Sequence, residues 1–232
     1  MTLSASDLGI ILLSLKVAVV SVAFSLPVAV AAAYVLARYE FPGKTLFDAF
    51  VHLPLVLPPV VVGFALLIIF GRHGVLGAWL ADWFGIVFAF RWTGAALAAA
   101  IMGFPLMVRA IRLSFSSLDR RLETVARTLG GSRIWVFVSV TLPLSLPGIV
   151  TGIVLSFARS LGEFGATITF VSNVPGETQT LPLAIYTYTQ VPGADSQAWR
   201  LSALAVLLSI AALVAAEWIA RRQPSPARNA RT

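Results

Sequence analysis

The chain has 232 residues, of which 58% are hydrophobic and only 12% are charged. Soluble domains carry about 25% charged residues, so this composition indicates an integral membrane protein. Lys and Arg number 17 against 10 Asp and Glu, an excess that membrane proteins place in cytoplasmic loops, so no nucleic-acid partner is expected. The absence of cysteine from the sequence excludes disulfides, thiolate nucleophiles and cysteine metal sites.

Five apolar stretches are long enough to cross the lipid bilayer, whose hydrocarbon core needs roughly 20 helical residues. They predict an all-α membrane protein in one transmembrane domain over residues 1–232. The predicted spans are at about 10–37, 50–70, 93–115, 143–165 and 200–220. Residues 75–90 are rich in Trp and Phe and short for a span, which favours an interfacial helix over a sixth span.

The basic residues predict how these spans are oriented. With five spans, most of the Lys and Arg residues fall on one side of the membrane, and that side is predicted to be the cytoplasm. The N-terminus is then periplasmic and the C-terminus cytoplasmic. Residues 116–133 become a cytoplasmic loop between the third and fourth spans, and residues 221–232 become a basic cytoplasmic tail.

Prolines and glycines inside the spans predict kinks and close helix packing. Interior prolines bend helices, and membrane helices tolerate them beside other helices or a water-filled cavity. Gly148 and Gly152 have the GxxxG spacing that lets another helix approach, although this spacing also arises by chance. The candidate kink positions are Pro58, Pro59, Pro105 and Pro147.

Arg159 and Glu163 are the ionisable pair to explain within the fourth span. They are four residues apart, on one face of a helix, and apolar sequence continues beyond them to Val171. Charged groups at membrane depth usually pair and face a cavity, so they are candidates for a translocation pathway or gate. The alternative is that Arg159 ends the span and both residues are interfacial.

The sequence contains no recognisable site for a nucleotide or a metal ion. The phrase PGKT at 42–45 lacks the upstream glycine of a phosphate-binding loop. The two histidines lie in separate segments, and no cluster of His, Asp and Glu suggests a metal site. If this protein depends on ATP, a partner must hydrolyse it.

The loop LDRRLETVARTLGGSR (118–133) predicts a short amphipathic helix. Its apolar residues recur at helical spacing, arginines occupy the other side, and Gly130-Gly131 ends the pattern. A loop that is merely solvated needs no apolar face. The pattern is typical of a helix that docks into a groove of a partner protein.

The same segment resembles the EAA loop of ABC importer permeases. The pattern of that family is Glu-Ala-Ala, three residues, Gly, nine residues, Ile, one residue and Leu-Pro. Glu123 is displaced by one position from the family's Glu, and Arg127 follows the Ala pair. The pattern positions are held here, in order, by Thr124, Val125, Ala126, Gly130, Val140, Leu142 and Pro143.

Longer phrases resemble the permease subunits of bacterial molybdate importers, and are also similar to sulfate/thiosulfate permeases. They are HLPLVLPPVVVG (52–63), FPLMVRAIR (104–112) and ARSLGEFGATITFVSNVPGETQTLP (158–182). This resemblance implies a type I ABC importer permease fold in the bacterial inner membrane. It also implies a homodimeric pore, a cytoplasmic ATPase dimer that uses ATP and Mg²⁺, and a periplasmic oxyanion-binding protein. The permease itself would bind no cofactor, and its two Leu-Pro steps would form an elbow.

Three alternatives remain at this point. The cargo could be sulfate or thiosulfate, or tungstate beside molybdate. The chain could be a secondary anion transporter or channel that works without ATP, although few ionisable residues lie in its spans. It could also be a scaffold subunit with no pathway of its own, against which the proline-rich spans argue.

Overall fold

The computed structural model describes residues 4–221, and all regular elements in that range are helical. The helices are α1 (Ala5–Arg38), α2 (Lys44–Val56), α3 (Pro59–Phe70), α4 (Val75–Phe84), α5 (Trp92–Ser117), α6 (Arg120–Thr128), α7 (Arg133–Val136), α8 (Leu142–Leu144), α9 (Leu146–Leu161), α10 (Gly165–Val171), α11 (Leu181–Gln190) and α12 (Asp195–Arg221). One π-helical turn, Phe137–Thr141, joins α7 to α8. The all-α prediction is confirmed.

Two helices, α1 and α5, are each long and apolar enough to cross a membrane. Two bent pairs pass the same test when each pair is taken together. α2 and α3 are bent by 113° at their junction, and the helical segment Arg133–Leu144 is bent by 68° against α9. α12 contains the segment predicted at 200–220, whereas residues 222–232 of the predicted basic tail lie outside the described residues.

Two adjacent prolines, Pro58 and Pro59, interrupt the span that hydropathy predicts at 50–70. Leu57 and Pro58 each precede a proline, and their ψ angles are extended at 143° and 133°, because a residue before proline avoids the helical region. α3 then starts with Pro59, at a position where the missing N–H costs nothing. Pro105, in contrast, lies inside α5, which continues through it.

α4 covers the first part of the aromatic segment at 75–90. It has ten residues and is therefore about 15 Å long, half of the roughly 30 Å hydrocarbon core. Trp79 and Trp83 are exposed on it. α4 by itself is therefore too short to cross the hydrocarbon core, and its interfacial position stays a prediction.

The centre of the fold is the packing of α5 against α1 and α9. A Cβ atom on Gly148 would lie 2.2 Å from the Cβ of Ser114, and one on Gly152 would lie 3.0 Å from the carbonyl oxygen of Met107. Both glycines therefore allow α9 to approach α5 closely. Phe115, near the far end of α5, is fully buried and packs edge to face against Tyr34 of α1.

An ion pair connects the beginnings of the first and last helices. Arg200 Nη2 of α12 lies 2.7 Å from Asp7 Oδ2 of α1, and the Asp7 side chain is only 1% exposed. The same carboxylate oxygen accepts a hydrogen bond from the Ser4 amide at 3.1 Å. Both contacts hold the first turn of α1 against the bundle.

Candidate coupling site

α6 forms a distinct nine-residue helix between α5 and α7. Asp119 caps its first turn by accepting a hydrogen bond from the Arg121 amide at 2.9 Å. The chain leaves the helix through Gly130, whose φ of +92° lies in the left-handed region that favours glycine. The helix that the sequence predicts is therefore present, with both ends fixed by local side-chain and backbone chemistry.

α6 and the start of α7 together carry an exposed apolar surface, here called the coupling face. None of the nine residues of α6, all of which the structure describes, is buried. Arginines border the surface. An exposed apolar patch with a polar rim marks a site of protein interaction. The coupling face consists of Leu122, Val125, Leu129, Ile134 and Trp135, which are 48%, 57%, 84%, 79% and 55% exposed.

A groove of about 480 Å³ lies between α6 and α7 beside the coupling face. A Cβ atom on Gly131 would lie 2.8 Å from the Ala126 carbonyl oxygen, so a side chain there would crowd the wall. The groove could receive one large side chain of a partner. Its lining residues are Ala126, Leu129, Gly130, Gly131, Ser132, Trp135 and Val140.

Glu123 turns away from the coupling face and contacts the membrane domain. Its Oε1 atom lies 2.8 Å from Arg38 Nη2, at the end of α1. The same oxygen accepts a hydrogen bond from Thr141 Oγ1 at 2.9 Å. The side chains of Arg38 and Glu123 are 7% and 21% exposed, so this ion pair is largely shielded from water.

Thr124, which stands at the family's Glu position, is exposed and bonds within its own helix. Its hydroxyl donates to the Arg120 carbonyl at 3.1 Å. The acid that reaches the membrane domain is therefore the displaced Glu123. Sequence reasoning named Glu123 but missed Arg38 and Thr141, its two partners. The sequence contains little that identifies these partners, because Arg38 is only one of several basic residues near the ends of spans.

An aromatic cluster lies beneath this ion pair. The ring centroid of Tyr34 is 5.5 Å from that of Phe115 and 4.8 Å from that of Phe137, both in edge-to-face arrangements. These three residues belong to α1, α5 and the π-helical turn. Aromatic pairs of this kind add to the energy of burial, so the three elements are packed together where α6 attaches.

The two Leu-Pro steps occupy the bend between the coupling site and α9. Thr141 ends the π-helical turn and is 1% exposed. Leu142 and Pro143 begin α8, and Leu146 and Pro147 begin α9. The two steps thus lie on either side of the 68° bend, and their role as an elbow that passes on movement stays a prediction.

Arg159 and Glu163 form an ion pair far along α9 from the coupling site. Arg159 Nη1 lies 2.6 Å from Glu163 Oε2, and their side chains are 26% and 2% exposed. Glu163 Oε1 also accepts the Ala166 amide at 2.8 Å, which caps the start of α10. The pair therefore holds the break between α9 and α10, with Glu163 buried and Arg159 partly accessible.

The residues that the structure describes contain no group of three or more His, Cys, Asp or Glu side chains arranged to hold a metal ion. Several ionisable groups instead form ion pairs that join helices. Asp48 of α2, for example, lies 2.8 Å from Arg112 of α5. These ion pairs hold helices to one another.

Comparison with known proteins gives a consistent result. Residues 25–223 match the family model described as binding-protein-dependent transport system inner membrane component. The chain is 60% identical over 211 residues to the molybdenum transport system permease protein ModB of Escherichia coli (strain K12), covering 91% of this chain and 92% of that protein. It is 40% identical over 179 residues to the sulfate transport system permease protein CysT of the same organism, covering 76% and 64%.

A solved structure also shares this fold. A chain from the inward-facing MetNI methionine ABC transporter superposes with a TM-score of 0.73 at 16% identity, covering 94% of this chain and 98% of that one. At that level of identity the likeness concerns the arrangement of helices. The fold is that of an ABC importer permease.

Proposed function

Because the chain belongs to the family of binding-protein-dependent transport system inner membrane components, we propose that it is the permease subunit of an ATP-driven molybdate importer. The observation that carries the choice of cargo is the 60% identity to a molybdenum transport permease over nine-tenths of both chains. The identity to a sulfate permease is lower and covers less of either protein. Tungstate, which has the same shape and charge as molybdate, is a further cargo.

The proposed ATPase partner follows from the coupling face, and the proposed second copy of this chain follows from the family. A second copy of this chain completes the pore, and two copies of a cytoplasmic ATPase bind the coupling faces. The exposed apolar residues and the adjacent groove suit insertion into an ATPase surface. ATP and Mg²⁺ act in the ATPase, so this chain transports without hydrolysing ATP or binding a cofactor of its own.

This assignment gives the protein an orientation in the bacterial inner membrane. α6 lies in the cytoplasm, where the ATPase is, and the N-terminal end of α1 lies on the periplasmic side. A periplasmic binding protein delivers the oxyanion on that side. The C-terminus lies in the cytoplasm, in agreement with the distribution of basic residues.

The ion pair of Arg159 and Glu163 is the proposed pathway element. Arg159 is partly accessible, whereas Glu163 is buried and fixes the α9–α10 break. Glu163 therefore positions Arg159 and offsets its charge at membrane depth, where an unpaired cation is costly. An arginine held in this way can attract an oxyanion without binding it tightly.

Uptake by the complete complex tests the proposal. The chain, its ATPase and its binding protein are reconstituted in proteoliposomes, and uptake of labelled molybdate and sulfate is measured with and without ATP. ATP-dependent molybdate uptake that unlabelled sulfate does not compete away is the expected result. Preferential uptake of sulfate would show that sulfate, not molybdate, is the transported anion. Uptake at the same rate with and without ATP would overturn the importer assignment in favour of a secondary transporter or channel.

A further inference from the structure

We propose that Glu123 is the positioning residue that transmits movement of α6 to the membrane helices, through one oxygen shared by Arg38 and Thr141. This inference rests on the proposed function, because it assumes that an ATPase moves α6. It goes beyond docking, since Glu123 lies on the side of α6 that faces the permease itself.

α6 depends on polar contacts for its connection to the bundle. All nine of its residues are described, and none is buried. Leu122 and Val125, the large apolar side chains of α6, are about half exposed and belong to the coupling face, so they contribute little to its attachment to the bundle. Besides Glu123, Arg120 reaches the Ala37 carbonyl, at the long distance of 3.4 Å and in an exposed position. The short, shielded contacts are those of Glu123.

The two partners of Glu123 belong to different moving parts. Arg38 is the last residue of α1, and Thr141 is the last residue of the π-helical turn that leads into the bend before α9. Both contact the same carboxylate oxygen, at 2.8 Å and 2.9 Å. A shift of α6 therefore pulls or pushes α1 and α9 together, instead of moving either one alone.

The charge of Glu123 is essential to this connection. The Arg38 side chain is only 7% exposed, and a buried guanidinium without its counter-ion is strongly disfavoured. Charge-assisted hydrogen bonds are shorter and stronger than neutral ones. The contact therefore holds while α6 is displaced, whereas a neutral side chain of the same size would hold it less firmly.

The displacement of Glu123 by one position from the family's Glu changes the side of α6 on which the carboxylate lies. Successive residues of a helix are separated by about 100° around its axis, at 3.6 residues per turn. Glu123 faces Arg38 and Thr141, while Thr124 is exposed on a different side. Position 123 serves the contact inside the permease, and position 124 remains free for the surface that meets a partner.

The π-helical turn is well placed to follow a movement of α6. Such turns are rare, and they occur frequently at functional sites. Thr141 closes the turn with its hydroxyl bound to Glu123, and its carbonyl accepts the Ser145 hydroxyl at 2.7 Å. The contact thus reaches from α6 through Thr141 to the residue that precedes α9.

The test measures coupling separately from assembly. Glu123→Gln, which keeps the size of the side chain and removes its charge, is compared with the parent chain in the reconstituted complex. Glu40→Gln is the matched control, because Glu40 is 89% exposed and pairs with Lys44 in the segment that follows α1. Co-purification of the ATPase, ATP hydrolysis and molybdate uptake are recorded for each complex.

We expect Glu123→Gln to retain the ATPase but to lower the molybdate transported per ATP hydrolysed by at least about fivefold, the change that about 1 kcal/mol produces. Glu40→Gln should match the parent. Thr141→Val, which removes one arm of the contact and keeps the charge pair, should give an intermediate loss. The exchanged pair Arg38→Glu with Glu123→Arg should recover most of the coupling.

Transport per ATP that is unchanged in Glu123→Gln would overturn the inference, as would loss of the ATPase from that complex, which would make Glu123 a docking or folding residue. An exchanged pair that assembles without recovering coupling would also overturn it. Failure of the proposed function looks different, because the parent complex itself would then show no ATP-dependent uptake.

Discussion

Two ion pairs of similar geometry lie near opposite ends of α9 and differ in what they connect. Arg38 and Glu123 are separated by 85 positions in sequence and connect the end of α1 to α6. Arg159 and Glu163 are four positions apart and hold a single break within one segment. A pair of residues distant in sequence thus connects separate elements, whereas a local pair fixes the shape of one element.

Charges on the coupling face should have the largest effect, because they remove the source of movement. We expect Val125→Asp with Leu129→Asp to weaken binding of the ATPase by at least about thirtyfold, as loss of an interface hot spot does. Binding is measured by co-purification and by titration of ATPase into reconstituted permease. Val191→Asp, an exposed valine between α11 and α12, is the matched control, and equal losses in both variants would refute a specific docking surface.

Neutralising the local pair should impair transport and spare assembly. Glu163→Gln keeps an oxygen for the Ala166 amide and leaves Arg159 without its counter-ion. We expect molybdate uptake to fall about tenfold, with a stability loss of about 1–3 kcal/mol, measured by uptake and by thermal unfolding in detergent. If uptake stays at the parental level, Arg159 and Glu163 are structural and have no role in a pathway or gate.

Backbone strain at the end of α6 should have a moderate effect that is confined to binding of the ATPase. Gly130 has φ +92°, and an added Cβ would meet no atom within 4 Å, so Gly130→Ala adds strain of about 1–2 kcal/mol without a clash. We expect ATPase binding to weaken about fivefold. Gly176→Ala is the control, since it has φ +79° and the same open surroundings outside the coupling site, and a similar loss there would show that the effect is general.

The exposed pair of Glu40 and Lys44 should have the smallest effect. A hydrogen bond from Lys44, followed by the charge of that residue, lowers the pKa of Glu40, so its carboxylate stays ionised at neutral pH. Exposed pairs contribute little, because water screens them. We expect Glu40→Gln to leave uptake unchanged between pH 6 and about pH 8, well above the range where Glu titrates, and a marked change would give this pair a function.

Much of the fold follows from local sequence. Hydropathy predicts the membrane class and the positions of α1, α5 and α12, because about 20 apolar residues suffice to identify a span. The amphipathic pattern after Leu118 predicts α6, whose first and last turns are set by Asp119 and Gly130. The pairing of Arg159 with Glu163 is also local, since residues four apart meet on one helix face.

The remaining features depend on how distant segments pack. No local pattern pairs Arg38 with Glu123, because the contact requires α1, α5 and the π-helical turn to converge first. The adjacent prolines at 58 and 59 indicate a disturbance, but the 113° bend between α2 and α3 also reflects their separate neighbours. Hydropathy alone reads this segment as one continuous span.

The buried contact of Asp7 with Arg200 has a consequence for folding during synthesis. Because a chain is synthesised from its N-terminal end, Asp7 is made long before its partner Arg200. Until then the buried carboxylate lacks this counter-ion, so we expect the first turn of α1 to be fixed in place only after α12 has been made.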